Sequence, residues 1–244
     1  MENMTNDELF FLCVLTGAQE LFGIENPVEG LNEEGAKAKW EEVSKGLYES
    51  KILYDDQNGN ICIRDDYAKI SAAISFPDIA YEYAPDDLST KYIYIKGSIY
   101  VQLIRKDDLQ LKMYDTREDF ISFLKKEFMI AYCEDNEENI FIQISEEELD
   151  KALEYFTNSY SIPANIFEGT ELNIETIHSA LSAFTQNISF IDFVGYRNNQ
   201  ETPSQALFKI TKTEDGTWLF KICKGNIKML KCNAGKALSE IINF

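Results

Sequence analysis

Two stretches of the chain carry runs of alternating apolar and polar residues separated by short turns, and this pattern limits the fold more than any other feature. The first stretch holds four such runs, Ile79–Tyr83, Lys91–Ile95, Ser98–Arg105 and Leu109–Tyr114. The second holds four more, Ile188–Tyr196, Ala206–Thr211, Thr217–Cys223 and Ile227–Lys231. Because a period of two is typical of strands, tight turns between such runs predict two antiparallel meanders.

Helical spacing precedes each meander and returns after it. The capping boxes Thr5-x-x-Glu8 and Ser145-x-x-Glu148 mark two helix starts. In the first half, Asn58-Gly59 predicts a short hairpin between two further helices. Helix, hairpin and helix together resemble a winged helix. Acidic residues flank the hairpin, so this element offers no basic face to DNA.

The two halves therefore share one order of elements. We expect an α+β chain with a single domain of two lobes, a size that suits 244 residues. Residues 1–130 form the N-terminal half, with winged-helix-like helices, a meander and a helix, and residues 131–244 form the C-terminal half. Leu111–Tyr114 can be aligned with Ile227–Leu230, although a true duplication stays open. If the halves are duplicates, the meanders can join into one central antiparallel sheet with quasi-two-fold symmetry, flanked by helical bundles.

The charge balance limits the partners. The sequence has 42 acidic and 23 basic residues, a net charge of -19. The negative electrostatic field of such a chain repels phosphate backbones and anionic lipid headgroups. We therefore expect neither nucleic-acid binding nor membrane insertion, and we favour a basic or apolar protein partner. The apolar run from Leu9 to Leu15 is far shorter than the roughly 20 residues of a membrane span, and no basic leader precedes it. A cytoplasmic protein is expected.

Residues that carry chemistry are sparse. His178 is the only histidine, the five cysteines are dispersed, and neither a GxSxG, a P-loop nor a GxGxxG motif occurs. We therefore expect no enzyme activity, no cofactor and no metal site. Carboxylates occur in adjacent pairs, but the pairs fall at turns and helix starts, where solvation and capping explain them. A hydrolase would need two of them to converge in one pocket.

A candidate binding surface is the sheet face that carries Tyr92, Tyr94 and Tyr100. Alternation places Ile93 and Ile95 on the opposite face, which we expect to be the core. Exposed tyrosine suits recognition because it adds contact area at a low cost in side-chain entropy. The alternative is that the three tyrosines pack under a helix.

Several segments together resemble the EspG family of chaperones from type VII (ESX) secretion systems. The resemblance is one of order and spacing over most of the chain. It is carried by Asp7–Leu15, Trp40-x-x-Val43-x-x-Gly46-Leu47, Asp56–Gly59, Ile74–Asp78, Asp215–Trp218 and Lys224–Asn226.

The resemblance implies a central antiparallel sheet with two helical bundles. It also implies a cytosolic chaperone that keeps a helical secretion substrate soluble and competent for secretion. The acidic charge and the segment 134–139 depart from the family pattern, so a WXG100-like or LXG-like substrate stands beside a PE/PPE pair. An acidic immunity or inhibitor protein that neutralises a basic toxin is the alternative, and it predicts steep salt dependence of binding. The oligomeric state stays open.

Overall fold

The computed structural model describes residues 2–86, 89–106, 109–127, 140–158, 174–185, 190–197, 204–213, 216–232 and 234–243. The chain forms two compact units. The first contains Met1–Arg117 and Arg197–Thr202, and the second contains Glu118–Tyr196 and Pro203–Phe244. Both combine helices with antiparallel strands, so the predicted α+β class is confirmed.

The first unit has a helical part and a meander. The helices are α1 (Asn6–Leu15), α2 (Glu33–Glu49) and α3 (Asp65–Ser75). The hairpin between α2 and α3 consists of β2 (Leu53–Asp55) and β3 (Ile61–Ile63). The larger sheet has the order β1-β7-β6-β5-β4. Its strands are β1 (Glu2–Met4), β4 (Ile79–Asp86), β5 (Ser89–Lys96), β6 (Ile99–Arg105) and β7 (Leu109–Tyr114).

The second unit repeats this plan. The helices around it are α4 (Arg117–Glu127), α5 (Glu146–Thr157), α6 (Ile174–Thr185) and α7 (Ala234–Ile242). The sheet has the order β9-β10-β11-β12-β8. Its strands are β8 (Phe141–Ser145), β9 (Phe190–Arg197), β10 (Ser204–Thr213), β11 (Gly216–Cys223) and β12 (Asn226–Cys232). The first two residues of the predicted run 188–196 lie outside the described residues.

The edge strands show the repeat most clearly. β1 pairs with β7 and β8 pairs with β12, so in each unit a short leading strand joins the last strand of the meander. Met4 lies opposite Leu109, and Ile144 lies opposite Ile227. When the two units are matched on these edge strands, Leu109 corresponds to Ile227. The match made from the sequence, Leu111 with Ile227, is therefore two residues off, a shift that keeps every side chain on its face of the sheet.

Both edge strands run directly into a capped helix. The Thr5 hydroxyl accepts from the Glu8 N–H at 3.2 Å, and a Glu8 carboxylate oxygen accepts from the Thr5 N–H at 2.8 Å. Ser145 and Glu148 make the same pair of bonds, at 3.2 and 2.6 Å. Each box satisfies two backbone donors that a helix N-terminus would leave unpaired. The two predicted capping boxes are confirmed.

Each unit buries its own apolar cluster between helices and one sheet face. In the first unit, the predicted inner residues of α1 pack with α3 and the strands; the cluster includes Leu9, Leu12, Ile74, Val101 and Leu103. In the second unit, α5 and α6 pack on β8, β11 and β12. That cluster includes Leu149, Leu181, Trp218, Phe220 and Met229.

Candidate partner-binding surface

The three tyrosines of the candidate surface are buried. Their exposed fractions are 5% for Tyr92, 0% for Tyr94 and 6% for Tyr100. The exposure that the sequence analysis expected is therefore wrong. Tyr92 and Tyr94 belong to the apolar cluster of the first unit, which also contains residues of α1 and α3.

Tyr100 also lies on the other face of the sheet. β5 and β6 pair so that Tyr94 is opposite Val101 and Ile95 is opposite Tyr100. Directly opposed residues of antiparallel strands project to the same side. Tyr100 therefore shares a face with Ile93 and Ile95, and the three tyrosines do not form one surface.

The segment between α1 and α2, residues 16–31, covers Tyr92 and Tyr94, and we call it the strap. Gly23 of the strap packs directly against the Tyr92 ring. A Cβ atom added at Gly23 would be only 2.5 Å from Cε1 of that ring. The Phe22 ring meets the Tyr92 ring edge to face, with 5.6 Å between centroids. The Tyr94 hydroxyl donates to the Phe22 carbonyl at 2.7 Å.

Polar bonds hold the middle of the strap in place. The Asn6 side chain donates to the Glu25 carbonyl at 2.8 Å and accepts from the Glu25 N–H at 3.0 Å. The Arg105 guanidinium lies 2.6 Å from the Glu25 carboxylate. Burial raises the pKa of Tyr92, and it raises the pKa of Tyr94 well above the ordinary value. Partner binding by the three tyrosines stays a prediction, and for Tyr92 and Tyr94 it requires the strap to move.

A different group of apolar side chains is exposed where α1 and α3 end. Val14, Leu15 and Phe76 are 43%, 40% and 42% exposed, and we call them the α1–α3 patch. The two helix ends are neighbours, because the Thr16 and Ser75 hydroxyls are 2.9 Å apart. A contiguous exposed apolar surface can mark an interaction site. The sequence held a signal for this patch, since Val14 and Leu15 lie off the predicted inner face of α1.

One lysine lies beside the patch. The Lys96 ammonium donates to the Phe76 carbonyl at 2.8 Å and lies 5.4 Å from the centroid of the Phe76 ring. The contact fixes the end of α3 against the β5–β6 turn. One positive charge therefore lies at the border of the patch, although the protein as a whole is acidic.

The described acidic pairs serve local structure. Asp55 accepts from the Tyr48 hydroxyl at 2.7 Å. Asp56 accepts from the Asn60 side-chain amide at 3.0 Å and from the backbone N–H groups of Asn60 and Asn58, and these bonds lower its pKa. Asp66 binds the Arg64 guanidinium at 2.7 Å, which lowers the pKa of Asp66. The pairs at 86–87, 107–108 and 137–138 lie wholly or partly outside the described residues.

The residues most often used in catalysis or metal binding are apart from one another in the described structure. His178 is exposed on α6, and its ring meets Phe156 at 5.5 Å between centroids. Cys13 is buried, which raises its pKa to about 12, while Cys62 and Cys223 are half-buried free thiols. Within the described ranges, no three His, Cys, Asp or Glu side chains are placed to hold a metal ion. Among the same residues, no helix is long and apolar enough to cross a membrane.

Comparison with known proteins shows a likeness of fold. No protein-family model matches the chain, and no curated protein matches it. A solved structure does match: the Mycobacterium tuberculosis type VII secretion system chaperone EspG5 in complex with a PE25–PPE41 dimer. The TM-score is 0.56 at 9% sequence identity, over 97% of this chain and 92% of the other. The chain therefore has an EspG-like α+β fold, as the sequence resemblance implied.

Proposed function

We propose that this protein is a cytosolic chaperone or adaptor that binds a helical type VII secretion substrate and keeps it soluble and competent for secretion. The observation that carries the proposal is the EspG-like fold, which extends over 97% of the chain. The structure with that fold is a chaperone in complex with a PE25–PPE41 dimer. A PE/PPE-like helical protein is the substrate we propose first, and WXG100-like and LXG-like helical proteins are the others.

The α1–α3 patch is the surface that we assign to the substrate helix. An amphipathic helix binds through apolar residues spaced three or four apart, and it needs an exposed apolar surface on its partner. Val14, Leu15 and Phe76 supply such a surface. The net charge of -19 repels acidic competitors and speeds the approach of a partner with basic residues.

Co-expression with a small helical secretion substrate tests the proposal. We expect the substrate to stay in the soluble fraction and to co-purify with the chain. The double variant Val14→Gln and Leu15→Gln should weaken binding by about tenfold or more, because buried anchors dominate interfaces. Ile174→Gln is the matched control, since Ile174 is an exposed apolar residue of α6 and should leave binding unchanged.

Two results would count against this function. The first is a pull-down from the native cytosol that recovers no small helical secreted protein. The second is a basic partner whose affinity falls steeply between low and physiological salt, which the inhibitor hypothesis requires and burial of an apolar helix face does not.

A further inference from the structure

We propose that the outer edge of β8 binds an extended, lysine- or arginine-flanked segment of a protein partner as an added strand. β8 is the last strand of its sheet, and no described strand pairs with its outer side. The Ile140 carbonyl accepts from the Lys231 N–H, and the Glu146 N–H donates to the Gly225 carbonyl, both at 3.0 Å. Because backbone groups alternate along a strand, Phe141 and Gln143 direct theirs outward.

The sequence of this edge lacks the charged residues and the proline that protect many edge strands. Such strands are kept from pairing by charged side chains, proline, bulges or short length. Residues 140–145, Ile-Phe-Ile-Gln-Ile-Ser, have neither charge nor proline nor glycine. At the end of the edge, the Ser145 N–H is bound by the Glu148 carboxylate. Among the described residues, none binds the outward backbone groups of Phe141 and Gln143.

The charges around β8 indicate which strand would fit. Glu146, Glu147 and Glu148 begin α5 immediately after it, and only Glu147 is paired with a lysine, Lys151 at 2.6 Å. The sequence just before β8 adds four more carboxylates within residues 134–138. A second copy of the chain carries the same net charge of -19, so electrostatic repulsion opposes its binding at this edge. A strand with basic flanks would be attracted instead.

Phe141 offers the added strand an apolar contact. Its side chain is 48% exposed, and the Lys228 ammonium lies 5.9 Å from its ring centroid on the neighbouring strand. Backbone bonds supply affinity and alternate side chains supply specificity in this mode of recognition. The site is separate from the α1–α3 patch, so it does not depend on the proposed function.

A labelled synthetic peptide, Lys-Lys-Val-Thr-Val-Thr-Val-Lys-Lys, tests the edge by fluorescence anisotropy with the full-length protein. Gln143→Pro removes an outward N–H without removing a bond to β12, and proline is tolerated at such edge positions. We expect wild type and the control Gln143→Ala to bind alike, and Gln143→Pro to bind about tenfold more weakly. A peptide with glutamate in place of every lysine should not bind.

A second probe tests the proposal with the wild-type protein alone, so its result does not depend on whether the variant folds. The same peptide with alternate backbone nitrogens methylated cannot pair as a strand, and it should bind the wild-type protein at least about tenfold more weakly. The proposal is overturned if the wild type does not bind the lysine peptide, or if it binds the methylated or glutamate peptide equally well. A wild-type dimer that Gln143→Pro dissociates would also overturn it, because the occupant would then be a second copy.

Discussion

Gly23→Ala is the substitution that most directly tests how the strap lies on the sheet. Gly23 has φ +75°, and an added Cβ would lie 2.5 to 2.8 Å from three atoms of the Tyr92 ring. The ring cannot easily move away, because Tyr92 is buried, meets Phe22 on one side and stacks on Tyr94 at 6.3 Å. The methyl group must therefore lift the strap or push the ring into the core.

The chain offers a matched control for the backbone effect. Gly30 has φ +77° and nothing within 4 Å of an added Cβ. Gly30→Ala should lower the free energy of unfolding by about 1–2 kcal/mol through backbone strain alone. Gly23→Ala should add an overpacking penalty of about 1–3 kcal/mol. The entropy that alanine removes from the unfolded chain is common to both variants and cancels in the difference.

Urea unfolding followed by far-ultraviolet circular dichroism measures this difference. A double-mutant cycle then assigns it: in a Tyr92→Ala background, the effect of Gly23→Ala should fall to that of Gly30→Ala. If Gly23→Ala and Gly30→Ala destabilise the wild-type chain equally, the ring does not constrain the strap and the reasoning fails.

Three further predictions concern single side chains. The Thr211 hydroxyl is buried without a hydrogen-bond partner among the described residues, whereas the Thr213 hydroxyl donates to a carbonyl at 2.9 Å. In urea unfolding, Thr211→Val should leave stability unchanged or raise it, and Thr213→Val should lower it by about 1 kcal/mol. Hydrogen bonds in its capping box lower the pKa of Glu148 from its ordinary value, so Glu148→Gln should destabilise at neutral pH, with the difference vanishing as pH falls through that lowered pKa. Iodoacetamide should modify Cys62 in the native protein and reach Cys13 only after unfolding, as peptide mapping would show.

Local signals accounted for most of the elements. Capping boxes at Thr5 and Ser145 located two helix starts, because the bonds they make lie within four residues. The Asn58-Gly59 turn located the β2–β3 hairpin, with Gly59 at φ +79°. Turn residues and alternation located the strands of both meanders. Each of these features depends on neighbouring residues, which a sequence displays directly.

The prediction that Tyr100 shares a sheet face with Tyr92 and Tyr94 was wrong, and the sequence already contained the reason. A two-residue turn joins β5 to β6, so the numbers of paired residues add to an odd sum, as in Tyr94 with Val101. Even-numbered residues of β5 therefore share a face with odd-numbered residues of β6. Within one strand, residues of the same face are all even-numbered or all odd-numbered. Across a two-residue turn, an even-numbered set on one strand continues as an odd-numbered set on the next.

The cover over Tyr92 could not be predicted in the same way. The strap has no periodic pattern, and its position depends on bonds to distant residues such as Asn6 and Arg105. Both faces of the first sheet carry apolar side chains, so hydrophobicity alone does not identify the exposed one. Exposure is a property of what packs on a face, and only the α1–α3 patch could have been suspected from its place off the inner side of α1.

The repeat of the two units gives the open edge of β8 its significance. In both units the edge strand ends at a capping box, where a glutamate binds the backbone N–H of the capping residue. Pairing along either edge is therefore limited to the residues before the cap. Before the cap, β1 has three residues, among them Glu2, whereas β8 has four, residues 141–144, and none of the four is charged. Among the described residues, the shared topology thus leaves a charged edge in the first unit and an uncharged edge in the second, which makes the second unit the better suited to bind an extended segment.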